Sequence, residues 1–118
     1  MNQPIAAFSN FIRQTSFDCI PHEAVLRAKL IIADCIGAIV GGSAEPEMLA
    51  FTETIKTQGN SRILGSLKLT DPQTASLING TSGTVLEMDE GHQFARGHPA
   101  MHIPVSYTHL TLPTNREV

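Results

Sequence analysis

The side chains able to do chemistry in this 118-residue chain crowd into one stretch, Asn79–His102, NGTSGTVLEMDEGHQFARGHPAMH. Three acids fall within four positions (Glu87, Asp89 and Glu90), and His92, Arg96, His98 and His102 follow. A histidine titrates near neutral pH, so it can take or return a proton beside a carboxylate while a cation holds the developing charge. His98 is the leading candidate for acid/base work or for orienting a carboxylate. Pro99 follows it and fits the first turn of a helix, which puts the imidazole beside free backbone amides that favour an anion. The plainer reading is a helix-capping histidine with no chemistry. The acids set a constraint, because Glu87, Asp89 and Glu90 repel a polyanionic ligand unless each is protonated, paired or turned away. At most one should touch such a ligand, Asp89 or Glu87, unless all three form a solvated or ion-paired loop. Arg96 is the one permanent cation in the stretch. His92, His98 and His102 with Asp89 also invite a metal reading, since histidines four apart share a helix face. Against it, Pro99 constrains the turn and there is no HExxH pattern.

The elements that must position these groups read as helices. Pro4 to about Gln14 has Ile5, Phe8 and Ile12 at helical spacing, with Phe11 beside them. Pro21–Val40 is the strongest helix, with Glu23, Arg27 and Asp34 on one narrow face and Glu23–Arg27 spaced as an ion pair. The rest of its circumference is apolar, which predicts burial by several neighbours, and the chain offers few. Gly41-Gly42 is expected to end it. Ser43–Gln58 predicts a third helix with Met48, Leu49, Thr52 and Ile55 inward. Ser61–Leu69 fits a small strand or an extended crossing segment. Asp71-Pro72 is a helix start, acid at the cap and proline in the first turn, for a helix running to about Leu86. Gly80 and Gly83 inside it predict a backbone passing close by. Glu87–Gly97 should be a loop, and a helix should restart at His98-Pro99. His22, opening the second helix, is expected on the surface.

Composition bounds the rest. A length of 118 residues suffices for one core, and 42% hydrophobic with 16% charged residues is the balance of a soluble globular protein. A net charge of −3 argues against nucleic acid as a partner. Leu30–Val40 is too short to span a membrane and carries Asp34, and no secretory signal is visible. Cys19 and Cys35 have no metal-like spacing and are expected as reduced core thiols of a cytoplasmic protein. An iron–sulfur cluster would need more thiolates. The segment Val105–Thr114, VSYTHLTLPT, resembles translated read-through of a transposase sequencing adapter, a tail found on unrelated metagenomic fragments. Residues 105–118 are therefore expected to be non-native, and Tyr107 and His109 receive no role.

Residues 1–104 resemble the N-terminal part of the MmgE/PrpD family. The motifs that carry the resemblance are RAKLIIADCIGAIVGGS, the NGT of Asn79–Thr81, LEMDEGH of Leu86–His92 and GHPA of Gly97–Ala100. That family includes 2-methylcitrate dehydratase, cis-aconitate decarboxylase and an iminodisuccinate epimerase. The resemblance implies an all-α fold, of which this chain holds an incomplete helical domain. It also implies a homodimer, no cofactor or metal, and a small di- or tricarboxylate as substrate. The reaction it implies is elimination, decarboxylation or epimerisation at a carbon next to a carboxylate. His98 matches the histidine of the family's HP motif, which lines the active site. Glu87 falls where the first acid of an acidic–aromatic–acidic–acidic run is usual, and Asp89 and Glu90 match the later acids. Met88 replaces the aromatic and Gly91 stands where a substrate-facing threonine is usual, which puts methylcitrate or cis-aconitate specificity in doubt. His92 could substitute as donor. On this reading His98 and Asp89 are the expected catalytic residues, and Glu87, His92 and Arg96 the expected substrate contacts. Family members are several times longer, so by itself the chain is expected to be catalytically silent and to associate through apolar helix faces. The other class left open is a helical structural or interaction piece.

Overall fold

A computed structural model describes residues 3–94 and 96–103; the expected tail and Pro104 lie outside the described residues. The described residues are mostly helical, with one two-stranded sheet. They fall into two compact units that meet in sequence between Leu30 and Ile31.

The first unit holds α1 (Gln3–Gln14), a short 3-10 turn (Phe17–Cys19) and the beginning of α2 (His22–Gly42). Ile5, Phe8, Phe11 and Ile12 do share a face of α1, as their spacing predicts, but all four are exposed. Helix α2 starts one residue later than expected, and the Pro21 carbonyl accepts from the Val25 N–H at 3.2 Å. His22 is exposed at its first position. Glu23 and Arg27 form no ion pair; among the described residues the pairs are Lys68–Glu53 and His98–Asp89. Both residues stand in water, where such a pair gains little. Cys19 is not a core thiol: it is exposed, and the Ser16 hydroxyl donates to its sulfur at 3.1 Å.

In the second unit α2 does not stop at Gly41-Gly42 but runs through Gly42. The reason is tertiary. A Cβ on Gly42 would land on the backbone carbonyl of Ser82, so the glycine lets two helix backbones touch rather than capping one of them. Only Cys35, Ile39 and Gly42 of α2 are buried, while Ile32, Ile36 and Val40 are exposed.

Helix α3 (Pro46–Glu53) is shorter than its pattern predicts. The Thr54 hydroxyl turns back to the Phe51 carbonyl at 2.7 Å, the local bonding by which threonine competes with helix continuation. Its inner face is Met48 and Thr52 with Phe51 half-buried; Ile55, just beyond the helix end, packs half-buried on the same cluster, and Leu49 is exposed instead.

The segment after it forms an antiparallel hairpin, β1 (Ser61–Arg62) and β2 (Leu69–Thr70), with Ser61 opposite Thr70. Gly65 turns the connection at φ +76°. Helix α4 (Pro72–Thr84) begins as predicted: the Asp71 carboxylate accepts from the Thr74 N–H at 2.9 Å and Pro72 opens the first turn. Ala75, Ile78, Asn79, Ser82 and Gly83 form its buried face. Asn79 is 1% exposed and stitches α4 to the hairpin. Its Oδ1 accepts from the Leu64 N–H at 2.9 Å, and its Nδ2 donates to the Arg62 carbonyl at 3.1 Å. No helix of the described residues is long and apolar enough to cross a membrane.

Candidate functional site

The loop expected at Glu87–Gly97 follows α4 directly. The Glu87 N–H donates to the Thr84 carbonyl at 3.0 Å, and Glu87 itself takes the left-handed conformation at φ +53° that closes a helix end. The chain then folds back over Cys35 of α2. Here Asp89 is buried, its side chain only 3% exposed, and Glu90 is half-buried with its backbone N–H donating to the Cys35 sulfur. Burial pushes the Cys35 thiol above its ordinary range, and the charges of Asp34, Glu90 and Asp89 push the same way against that one hydrogen bond.

Beyond the loop, residues 99–103 are helical, and Ala100 and Met101 anchor this turn in a core cluster with Cys35 and Ile39. Gly83 makes the seat for Met101: a Cβ there would stand 2.7 Å from the Met101 methyl carbon. The small residue on α4 thus accommodates a side chain, not the passing backbone the glycines had suggested; the backbone contact is made by Gly42 against Ser82.

With Met101 fixed, His98 and His102 flank it on an open groove of about 480 Å³. Ser76, Leu77, Gly80, Thr81 and Thr84 of α4 form the facing wall. These are the positions that a helix places opposite its buried face, so α4 is divided between core and groove. Nδ1 of His98 stands 3.0 Å from Oδ2 of Asp89. The contact is close enough for an ion pair but off the line of a hydrogen bond, and that oxygen has no aligned donor among the described residues. Such bonds are often slack in ligand-free sites and tighten on binding. A buried acid against Nδ1 holds the ring and leaves Nε2 as the nitrogen able to exchange a proton with a ligand.

The structure therefore brings Asp89 and His98 together. It sets Glu87, His92 and Arg96 on the exposed rim of the loop, outside the groove lining. His92 contacts the Phe94 ring edge-on at 6.1 Å, and the turn is closed by His92 N–H to the Gly97 carbonyl and Arg96 N–H to the His92 carbonyl, each 2.8 Å. Arg96 is left-handed there at φ +50°. Gly91 has open space around it, so a side chain would fit. Among the described residues no three His, Cys, Asp or Glu side chains converge as metal ligands.

A sequence profile of the MmgE/PrpD N-terminal domain matches residues 6–105. The chain belongs to the MmgE/PrpD family. Neither a curated protein nor a solved structure matches it significantly. The MmgE/PrpD match runs from within α1 through α4, the acidic loop and the His98 turn, so groove and dyad both lie within the part of the chain that carries the family resemblance. The groove wall, Ser76, Thr81 and Thr84, was not among the residues expected to contact a ligand, although Thr81 belongs to the NGT motif. The signal that could have found it is the spacing of these positions opposite Asn79 and Ile78 on a helical wheel.

Proposed function

We propose that this chain contributes the helical-domain side of the active site of a lyase or epimerase acting on small di- or tricarboxylates. The reaction is proton transfer at a carbon next to a carboxylate, without cofactor. His98 is the proton-transferring group and Asp89 its positioning partner. The observation that carries this reading is the buried Asp89 carboxylate 3.0 Å from His98, whose ring lines an open groove. In this scheme Nε2 of His98 takes the proton from the substrate carbon or returns it, and the Asp89 carboxylate stabilises the imidazolium that forms between the two steps. A single Arg96 in the stretch Asn79–His102 is too little positive charge for a tricarboxylate, so further cations come from elsewhere in the active assembly. Such a protein works in the cytoplasm and as a homodimer.

The test is the complete gene product, assayed in deuterium oxide by NMR against 2-methylcitrate, cis-aconitate and iminodisuccinate. One of these should exchange or lose its proton at the carbon beside the carboxylate. His98→Asn should cut turnover by roughly 10²–10⁴-fold, the contribution of one positioned acid/base. Turnover that survives His98→Asn intact overturns the assignment. This chain alone, assayed in parallel, should be silent.

A further inference from the structure

We infer that Gly80 is a specificity-determining residue: the side chain it lacks leaves a recess in the α4 wall that takes a short alkyl branch of the acid on which His98 acts. This rests on the proposed function above and deepens it, from small carboxylates in general to carbon-branched ones. Gly80 lies inside α4 and lines the same groove as His98. A glycine at such a position weakens the helix relative to alanine. Gly42 and Gly83 offset that weakness by packing, since a Cβ on the first would strike the Ser82 carbonyl and one on the second would strike Met101. A Cβ on Gly80 would meet nothing within 4 Å among the described residues, its own helix backbone aside. The open volume at Gly80 therefore belongs to the groove and not to the core.

The wall around this recess suits carbon rather than charge. Leu77, three residues before Gly80, lines the groove and is 59% exposed. The Thr81 hydroxyl donates to the Leu77 carbonyl at 2.8 Å, and the Thr84 hydroxyl lies 3.2–3.3 Å from the Thr81 and Gly80 carbonyls. Both hydroxyl hydrogens are thereby engaged by their own helix, so none of these groove-lining side chains has a donor to give a carboxylate. A carboxylate pressed against them would lose its water and receive no hydrogen bond in return, whereas an alkyl group gains by leaving water. The substrate's carboxylates therefore turn away from this part of α4 and its carbon branch turns toward it. One methylene in an apolar pocket discriminates by about 10–200-fold, and an alanine methyl at position 80 would take the place of one such carbon.

The experiment measures binding of succinate, methylsuccinate (each enantiomer) and ethylsuccinate to the complete gene product by calorimetry. These diacids carry no leaving group, so affinity is read without turnover. One methylsuccinate enantiomer should bind more tightly than succinate. Gly80→Ala should cut that methylsuccinate-to-succinate affinity ratio about tenfold or more, and Gly37→Ala, remote from the groove, should leave it where it is. Leu77→Ala should widen the recess and move the preference toward ethylsuccinate. Gly80→Ala should also raise the melting temperature by several degrees, because the helix gains and nothing is struck. A Gly80→Ala protein that keeps the wild-type ratio overturns the inference. So does one that melts lower or fails to fold, since Gly80 would then be the seat of another backbone in the complete protein. If no diacid binds the wild-type protein, the carboxylate reading falls and the recess with it. If His98→Asn leaves turnover intact while Gly80→Ala still removes the methyl preference, the acid/base assignment fails and the recess stands.

Discussion

Gly42→Ala and Gly37→Ala put the same atom into the same helix, and the structure assigns them opposite signs. An alanine replacing a glycine inside a helix gains about 1 kcal/mol from backbone entropy alone. Around Gly37 there is nothing within 4 Å of the added Cβ, so that gain is realised. At Gly42 the new carbon would fall on the Ser82 carbonyl and within 2.7 Å of a Val85 methyl. A backbone carbonyl inside α4 cannot swing aside as a side-chain tip can, so the two helices must move apart. Overpacking of this kind costs about 1–3 kcal/mol, occasionally more. Because the atoms struck are rigid backbone, the cost falls in the upper part of that range, about 2–3 kcal/mol, so Gly42→Ala should lose about 1–2 kcal/mol net where Gly37→Ala gains about 0.5–1 kcal/mol. For a domain of this size each kcal/mol moves the melting temperature by about 4–8 °C. Thermal melts followed by far-ultraviolet circular dichroism, at one protein concentration, read both shifts directly. Gly83→Ala belongs in the same series: its Cβ meets the Met101 sulfur and methyl and Ile39 Cγ1, flexible ends that can yield, so its loss should be smaller than that of Gly42→Ala. Melting temperatures that rise for both Gly37→Ala and Gly42→Ala would refute the close crossing of α2 and α4, and with it the placement of the groove wall.

Other outcomes follow from single contacts. Asn79→Leu leaves the Leu64 N–H and the Arg62 carbonyl without their partner, so chemical denaturation should show a loss of about 2 kcal/mol or more. In native protein a thiol reagent should label exposed Cys19 at once and Cys35 only after denaturant is added, since Cys35 is buried and burial raises its pKa. That raised pKa also has a sign for stability: the folded state holds the proton longer than the unfolded one, so stability falls as pH rises through and above the ordinary thiol range, and Cys35→Ala should flatten that alkaline slope. Asp71 runs the other way. The Thr74 side chain and N–H lower its pKa, so its cap supports α4 above the ordinary carboxylate range and is lost as pH falls; Asp71→Ala should lower the melting temperature at neutral pH and not in acid.

Much of the scaffold was legible in the sequence because it is set by local rules. The cap and proline of Asp71-Pro72, the apolar spacing of α1, the restart at His98-Pro99 and the loop at Glu87–Gly97 each follow from backbone chemistry that needs no distant partner. What was misread depends on a distant partner in most cases. Gly41-Gly42 has the composition of a helix stop and acts as a contact surface because Ser82, forty residues on, is there to be touched. Ser43–Gln58 has helical spacing throughout, yet Thr54 bonds back onto Phe51 and the helix ends. Cys19 and Cys35 stand in similar apolar neighbourhoods of sequence, and only one of them is covered.

The acidic run shows the same division at the level of chemistry. Glu87, Asp89 and Glu90 were equivalent as letters, three like charges of which at most one could face an anion. Their fates separate through geometry that begins one residue earlier. Glu87 takes the left-handed conformation that ends α4, which turns its own side chain to solvent and carries the next residues back over Cys35. Asp89 is then driven inward beside a half-buried Glu90, and a buried carboxylate must find a partner or give up its charge. His98, brought within 3.0 Å because Ala100 and Met101 bury the following turn, is that partner. The pairing thus follows from the packing of a glycine (Gly83) and a methionine (Met101), neither of which does any chemistry. Enlarging Gly83 should therefore disturb the His98 imidazole signal in NMR even though the two residues are not in contact through any polar group, while Gly37→Ala in the same background should leave it where it is.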